Sequence, residues 1–464
     1  MPVNIHRRDA LRAIAALSAA AATFPARGYE PALQLQLATF SCDVTPPLGH
    51  PLMGGGIKPV ERIDDALFVH GLVLLGAGDP IVLCAVDWCE IRNDAYDRWR
   101  DALAEAAGTA RQRVILSSLH QHDTPISDLT AQKILEEAGA AGAICDLEFH
   151  EQAVLRAAEA LRLGLASSRP LTHYGTGQAR VEQVASNRRY LQPDGTPAFG
   201  RTSATRDAYA REQPEGNVDP FLKTLSFWNG DEPLAAVHCY ATHPMSYYGQ
   251  GGVSADFVGL ARRRRQTDDG RVLQMYVSGC SGNVTAGKYN DGSPENRGIL
   301  ADRMYQGMVA AWEATERRKI DQLDFRCGSL RLEPRDSEGF TAEGLKHRLV
   351  TDARPFGQCL AALGLSWRRR ADAGGTIDVP VLDLGGAKLL LLPGESYVEY
   401  QLLAQELAPE AFVLTIGYGE SATGYIPHET AVAEGDGNLG DWCWVAPGSE
   451  AAMTAAIREA LGVE

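Results

Sequence analysis

The sequence alternates between short apolar runs and longer amphipathic stretches, and this alternation constrains the fold more than any other feature. The apolar runs have the length and composition of buried strands, and they cover residues 81–86, 114–119, 233–241, 272–278, 389–392 and 412–416. Helical periodicity occupies much of the sequence between and after these runs, at approximately residues 93–107, 146–163, 256–265, 296–317, 355–373, 397–408 and 449–461. This order predicts an α/β fold with a mixed β-sheet core flanked by helices, in one large domain.

One stretch interrupts this pattern. Residues 186–217 are polar and rich in Gly, Pro and Arg, which is typical of a long surface excursion. Long loops in compact enzymes often cover active sites. The sequence shows no internal repeat, and no linker divides the chain.

The N-terminus has the features of an export signal. Arg7 and Arg8 precede a weakly apolar, Ala-rich run over residues 13–22, as in twin-arginine signals. We therefore predict a signal over residues 1–26, one domain over residues 27–464, and a periplasmic or secreted protein. The run is too short to cross a bilayer, which needs about 20 apolar residues. The alternative is an amphipathic helix at a cytoplasmic N-terminus.

Charge and cysteine usage exclude several classes of protein. The formal net charge of −15 argues against a nucleic-acid partner, because phosphate binding needs a basic surface. No stretch is long and apolar enough to be a membrane helix. The nine cysteines include no C-x-x-C pair, which argues against a thiolate zinc site. Disulfide pairing stays open.

The most informative segment for chemistry is an H-x-H pattern, His120 and His122, at the end of the apolar run 114–119. Alternate residues of a strand face the same side, so both imidazoles can converge on one point. Imidazole is a good zinc ligand, and ligands bind at the carboxyl ends of strands in α/β sheets. The alternative is a pair of solvent-exposed loop histidines.

Two further segments offer metal ligands. His243 follows an apolar run, and Pro244 favours an extended backbone at His243. Glu395 follows a run of leucines at a Pro-Gly turn, where an unpaired carboxylate would be costly, so a metal or cation partner is expected. Taken singly, His243 has a packed core histidine as its alternative, and Glu395 an exposed position beside a helix cap. Asp256 opens a helix, where its role is structural unless it orients a ligand histidine.

The loop over residues 278–285, SGCSGNVT, consists of small residues that allow close approach of a substrate to the backbone. It is not a G-x-S-x-G elbow, because position 283 is Asn. Serine-hydrolase chemistry at Ser281 or Ser421 therefore lacks its motif, and the sequence contains no H-E-x-x-H pattern.

Several short blocks occur in a recognisable order between about residues 37 and 430. They are CDVTPP with MGG, IDDAL, SSLHQH, ATHP followed by VSAD, SGCSGNVT, and LPGE. In this order they resemble the neutral/alkaline, non-lysosomal ceramidases. Members of that family bind one zinc ion through two histidines, a glutamate and a tyrosine. By position, the resemblance implies a zinc site at His120, His243 and Glu395.

The resemblance also implies roles for residues around the metal. It places His122 near the scissile bond and Arg188, in SNRR, in the active site. The family's ligand tyrosine precedes a second tyrosine by three residues, and Tyr425 matches the second one. Ala422 then occupies the ligand position, so either Tyr425 substitutes as ligand or water completes the metal shell.

Two other departures bear on the substrate. The family's G-D-V-S-P block is GNVTA here, at residues 282–286. Typical members also carry a C-terminal immunoglobulin-like domain, and we expect none in this chain. Together with Ala422, these changes leave open whether ceramide itself is the substrate.

The sequence therefore predicts a Zn²⁺-dependent amidohydrolase acting on a lipid or small-molecule amide. Zinc lowers the pKa of a bound water to about 7, and the resulting hydroxide attacks the carbonyl. Arg188 or Tyr425 is expected to stabilise the oxyanion, and His122 to pass a proton to the leaving amine. The alternatives are an esterase or lactonase with the same site, and a non-catalytic periplasmic metal-binding protein. Acyl chain, amine and oligomeric state are not predicted.

Overall fold

The computed structural model describes residues 34–463, whose longer strands form three mixed sheets. In spatial order, the first sheet contains Val114–Ser118, Ile81–Val86, Phe68–Leu75, Leu35–Asp43 and Arg169–Leu171. The second contains Leu273–Ser278, Glu232–Tyr240, Phe221–Asn229, His173–Arg180 and Glu316–Lys319. The third contains Asp324–Leu330, Ile377–Asp383, Ala387–Leu391 and Phe412–Ile416. Each sheet has one parallel pair at an edge, and its other pairs are antiparallel.

Short two-stranded pairs join the loops around these sheets. The parallel pairs are Arg62–Ile63 with Gly252–Val253, Glu90–Ile91 with Ile126–Ser127, and Glu395–Ser396 with Tyr425–Ile426. The antiparallel pairs are Ser186–Asn187 with Val284–Thr285, and Tyr190–Leu191 with Pro197–Ala198.

Helices lie between the strands and after the last sheet. The α-helices of the described chain are Asn93–Ala107, Leu129–Glu137, Leu147–Leu165, Ala208–Glu212, Asp256–Asp268, Glu295–Glu313, Ala342–Thr351, Pro355–Asp372, Val398–Leu407, Glu429–Ala433 and Ser449–Leu461. Short 3₁₀ turns occur at Met53–Gly55, Arg111–Arg113 and Gly437–Leu439.

Local chemistry sets several helix ends. Asn93–Ala107 stops at Gly108, whose left-handed backbone (φ 68°) is disfavoured for other residues. Leu147–Leu165 begins after Asp146, whose carboxylate accepts a hydrogen bond from the Phe149 backbone N–H. One large apolar cluster takes side chains from all three sheets, so the sheets share a core. The predicted α/β class and mixed sheet are confirmed.

The carboxyl ends of the parallel strands meet at one place. Ser118, which ends a strand of the first sheet, donates its backbone N–H to the Tyr418 carbonyl at 3.0 Å. Gly417 donates to the carbonyl of Ser278, at the end of a second-sheet strand, at 2.9 Å. Because Gly417 and Tyr418 follow the third sheet, loops from all three sheets converge there.

The structure addresses some of the other sequence predictions and leaves others untested. The predicted export signal, residues 1–26, lies outside the described residues and stays a prediction. Between residues 34 and 463, no helix combines the length and apolarity needed to cross a membrane. All nine cysteines lie in the described part of the chain, and all are free thiols.

Candidate metal centre and active site

Three side chains that were predicted from the sequence to be metal ligands converge where the sheets meet. A carboxylate oxygen of Glu395, Oε2, lies 2.9 Å from His243 Nε2 and 3.2 Å from His120 Nε2. All three residues are at most 2% exposed. Their potential ligand atoms lie within 4.8 Å of one another, so the group is able to hold a metal ion. The requirement that both histidines reach one ion is therefore met.

Each of these residues follows a different sheet. His120 lies two residues after Val114–Ser118, His243 three residues after Glu232–Tyr240, and Glu395 four residues after Ala387–Leu391. The buried strands are apolar and place these polar residues at their carboxyl ends, where α/β sheets bind ligands.

The hydrogen bonds of the two histidines fix which nitrogen faces the site. Nδ1 of His120 donates to the Cys89 carbonyl at 3.1 Å, and Nδ1 of His243 donates to the Ser281 carbonyl at 2.5 Å. Because a carbonyl only accepts, each Nδ1 carries a proton. A neutral imidazole then presents the lone pair of Nε2 toward Glu395. This arrangement is typical of metal-ligating histidines, whose other nitrogen is held by a carbonyl or carboxylate.

The electrostatics of the group suit a bound cation. Burial and the nearby Arg188 guanidinium lower the pKa of His243 to about 4, so its imidazole is neutral. Burial opposes ionisation of Glu395, but His120 and His243 outweigh it and hold the pKa of that carboxyl well below its usual range. For His120, burial is likewise outweighed, because Cys89 and Glu395 raise its pKa. The charged Glu395 carboxylate and the neutral His243 imidazole are ligand forms that metals require, whereas His120, whose pKa is raised, would release its Nε2 proton when a metal binds.

The prediction that His120 and His122 lie close together is correct, but the reason given for it, a shared strand face, is wrong. The strand ends at Ser118, so His120 and His122 lie in the following loop rather than on one strand face. The backbone of His120 is left-handed (φ 71°), which is uncommon for a residue with a side chain. This turn brings the ring centroids of His120 and His122 to 5.3 Å.

Tyr418 is a second residue with a strained backbone, and it packs against His120. Tyr418 is also left-handed (φ 57°), and its ring stacks on His120 with centroids 4.4 Å apart. Its hydroxyl lies 2.6 Å from the Ser281 hydroxyl. Such backbone outliers cluster at functional sites, where the surrounding packing holds them. Tyr418 thus fixes the plane of the His120 ring.

His122 is partly exposed, whereas the three converging ligands are buried. Its Nδ1 is buried without a hydrogen-bond partner, and its ring packs edge-on against Tyr248 with centroids 4.7 Å apart. Burial, followed by the neighbouring His120 and His243, lowers the pKa of His122 well below its ordinary value. His122 therefore lies between the buried ligands and the solvent-accessible side.

Arg188 and Tyr425 complete the group of sequence-predicted residues. Arg188 Nη1 donates to the Tyr425 hydroxyl oxygen at 2.8 Å, and Nη2 lies 3.3 Å from His243 Nε2. Because Tyr425 accepts from Arg188, its own O–H is free to donate elsewhere. Tyr425 is held beside Glu395 by their pairing in a short parallel ladder. Burial raises the pKa of Tyr425, so it stays protonated.

The excursion over residues 186–217 contributes Arg188 to the site. Ser186–Asn187 pairs with Val284–Thr285, and the Arg188 backbone N–H donates to the Asn283 carbonyl at 2.8 Å. The segment was predicted to be a surface excursion, but its first residues are buried beside the candidate site.

Two other predicted features have structural roles. Asp256 accepts a hydrogen bond from the Ser246 backbone N–H at 2.9 Å and lies 3.6 Å from Arg297, so its contacts anchor a loop. A Cβ added to Gly282 would lie 2.2 Å from the Glu395 carbonyl oxygen. At Gly282, the small residue accommodates the backbone of the ligand segment. At Gly282, the protein's own backbone therefore fills the space in which a substrate was expected to approach.

The sequence analysis did not predict the residues on the Nδ1 side of His120. Cys89 and Glu90 follow Ile81–Val86, the parallel partner of Val114–Ser118. The carboxyl-end rule applied to this strand would have found them. The Cys89 thiol also belongs to a second potential metal group with His120 and His122. Glu90 Oε1 lies 3.9 Å from His120 Nδ1. Tyr418 had no sequence signal, because its contact depends on the fold.

Comparison with known proteins identifies the fold. No family model matches the sequence, and no curated protein matches it. Among solved structures, a neutral ceramidase from Pseudomonas aeruginosa is similar with a TM-score of 0.67 and 16% identity, over 93% of this chain and 75% of that one. A ceramidase complexed with C2 gives a TM-score of 0.66 and 16% identity, over 93% and 76%. The resemblance seen in the sequence blocks is confirmed at the level of fold.

Proposed function

We propose that this chain, which has the fold of the neutral ceramidases, is a zinc-dependent hydrolase that cleaves an amide bond. The observation that carries the proposal is the convergence of His120, His243 and Glu395, with both Nδ1 atoms committed to carbonyls. Two imidazoles and one carboxylate are a common ligand set of catalytic zinc, which keeps a further position open. When bound, zinc supplies Lewis-acid activation of water and of the scissile carbonyl.

The surrounding residues have matching roles. The Tyr425 hydroxyl and the Arg188 guanidinium are hydrogen-bonded together in the buried site, where they stabilise negative charge that develops on the carbonyl oxygen. His122, on the partly exposed side, moves the proton to the leaving amine. Ala422 is buried and offers no side-chain ligand, so His120, His243 and Glu395 would hold the zinc, with Tyr425 or water as the further ligand.

The proposed substrate class is an N-acyl amide, either ceramide-like or smaller. The similar solved enzymes are described as ceramidases, which supports an amide bond as the target. Ala422 stands where the resemblance implies a ligand tyrosine, so the proposal specifies neither the acyl chain nor the amine.

Metal analysis and matched substrates test the proposal. Purified full-length protein should contain about one zinc per chain, as a mononuclear site requires. Chelation should abolish hydrolysis of an N-acyl amide, and added zinc should restore it. An ester with the same acyl group serves as comparison. Hydrolysis of the ester alone would support an esterase instead, and zinc binding with no hydrolysis of either would support a metal-binding protein.

A further inference from the structure

Behind His120, on the side away from Glu395, lies a buried ion pair. Glu90 and Arg92 are both fully buried, with Glu90 Oε2 accepting from Arg92 Nη1 at 2.7 Å. The other oxygen of Glu90, Oε1, accepts from Trp442 Nε1 at 3.1 Å and lies 3.9 Å from His120 Nδ1. This carboxylate therefore faces the protonated nitrogen of a proposed metal ligand.

Arg92 connects the pair to the segment that contains Ala422. Its Nη2 donates to the Ala422 carbonyl at 2.9 Å, and its guanidinium lies 4.6 Å from the Trp444 ring centroid. Glu90 Oε1 lies 3.9 Å from His120 Nδ1, which itself donates to the Cys89 carbonyl at 3.1 Å. Glu90 therefore acts on this ring through its charge and not through a hydrogen bond.

We infer that Glu90 is a positioning residue of the metal centre, which strengthens metal binding by polarising His120 from its Nδ1 side. This inference rests on the proposed zinc site. The Cys89 carbonyl fixes the ring, and the nearby Glu90 charge raises its basicity. Removing a group of this outer shell commonly lowers metal affinity 10–100-fold. The Arg92 guanidinium, 2.7 Å from Glu90 Oε2, stabilises the charged carboxylate that this role needs.

The alternative is that Glu90 only neutralises Arg92. A second carboxylate in the same buried region separates these roles. Glu420 is buried and accepts from the backbone N–H groups of Asn93 and Ala422, both at 2.9 Å. It contacts no proposed metal ligand through these bonds. Its charge belongs to the same polar region, so Glu420→Gln is a matched control.

The test measures zinc affinity of the full chain by competition with a chromophoric chelator, together with the Tm of the metal-free protein. Glu90→Gln should weaken zinc binding about 10–100-fold. Glu420→Gln should leave it unchanged, and Glu90→Asp, which keeps the charge, should recover part of the affinity.

Three results would overturn the inference. Equal zinc affinity in wild type and Glu90→Gln would remove the effect itself. Equal weakening in Glu90→Gln and Glu420→Gln would assign it to general disturbance of the buried network. A wild-type chain that binds no zinc would overturn the proposed function and the inference with it, so the two failures are distinguishable.

Discussion

His120 and His122 are two positions apart in the sequence and have different surroundings. His120 is buried, with Nε2 3.2 Å from Glu395, whereas His122 is partly exposed beside Tyr248. Replacing His120 by Ala should remove both the metal and activity, because one of three protein ligands is lost. Replacing His122 by Ala should keep the zinc and slow the chemical step about 10²–10⁴-fold, the range for general acid–base catalysis. Zinc content and single-turnover rates check both outcomes.

The Cys89–His120–His122 group gives this comparison a third outcome. If the His122 variant loses its zinc while the His120 variant keeps it, the metal lies on the Cys89 side and the assigned roles are inverted. If neither variant changes zinc content or rate, both histidines are bystanders and the proposed function is wrong.

Tyr425 has two proposed roles that one substitution separates. Tyr425→Phe removes only the hydroxyl, which lies 2.8 Å from Arg188 Nη1. If the hydroxyl stabilises the oxyanion, kcat should fall about 10²–10³-fold while zinc affinity holds. If Tyr425 is instead the fourth ligand, zinc affinity should fall together with kcat. We expect the first result, because the hydroxyl is already engaged by a cation. Parallel measurement of kcat and zinc affinity decides between them.

At the scale of single residues, the sequence predicted which residues converge better than it predicted their geometry. His120, His243 and Glu395 were found because polar residues at the ends of apolar runs are conspicuous. Arg188 was found only through the resemblance. The left-handed backbone of His120 was not predicted, because it depends on packing against Tyr418, about 300 positions later in the chain.

At the scale of elements, the loop over residues 278–285 holds the Glu395 segment in place. A Cβ on Gly282 would lie 2.2 Å from the Glu395 carbonyl oxygen and 2.8 Å from the Tyr397 ring. Gly282→Ala should therefore displace Glu395, destabilise the protein by about 1–3 kcal/mol as overpacking does, and weaken zinc binding. Denaturant unfolding and chelator competition measure the two effects.

A matched substitution controls for the change from glycine to alanine. Gly298 lies exposed in the helix Glu295–Glu313, and a Cβ there would have nothing within 4 Å. Gly298→Ala should stabilise the protein by roughly 0.5–1 kcal/mol through helix propensity, without changing zinc affinity. Wild-type zinc binding in Gly282→Ala would show that the ligand segment tolerates the shift.

The elements differed in how well the sequence predicted them. Bounds were correct for Ile81–Val86, Phe412–Ile416, Asn93–Ala107 and Ser449–Leu461, which are strongly apolar or strongly periodic. Other strands were missed, including the antiparallel Leu35–Asp43 and Asp324–Leu330. Both mix buried with exposed positions, so neither forms a continuous apolar run. Sheet order was not predictable, because it depends on contacts distant in sequence.

At the scale of the whole molecule, several histidines are buried in neutral form away from the proposed ligands. Burial lowers the pKa of His150 to about 4 and that of His70 to about 3. Burial likewise lowers the pKa of His238 to about 4, and its two nitrogens are satisfied by Thr224 and Gln274, each at 2.8 Å. His238 is thus a packed core histidine.

These histidines make stability depend on pH. In the unfolded chain a histidine has a pKa near 6.5, so between pH 6.5 and about 4 the unfolded state binds more protons than the folded state. The contribution of these histidines to the free energy of unfolding should therefore be fully present above pH 6.5 and be lost as pH falls toward 4. Each pKa unit corresponds to about 1.4 kcal/mol, so one such histidine contributes on the order of 3 kcal/mol across this window.

His150 offers the sharpest test of this dependence. Neither of its ring nitrogens has a hydrogen-bond partner, and it packs beside Trp88 and Trp99 with ring centroids 6.2 and 6.3 Å away. His150→Leu removes the titrating group without breaking a hydrogen bond, so the loss of stability between pH 6.5 and 4 should become shallower. His238→Leu is the control: it also removes a buried histidine, but it strands Thr224 and Gln274 and should lower stability at every pH. Denaturant unfolding of the chelated protein across this pH range measures both. An unchanged pH dependence in His150→Leu would show that other groups control acid unfolding.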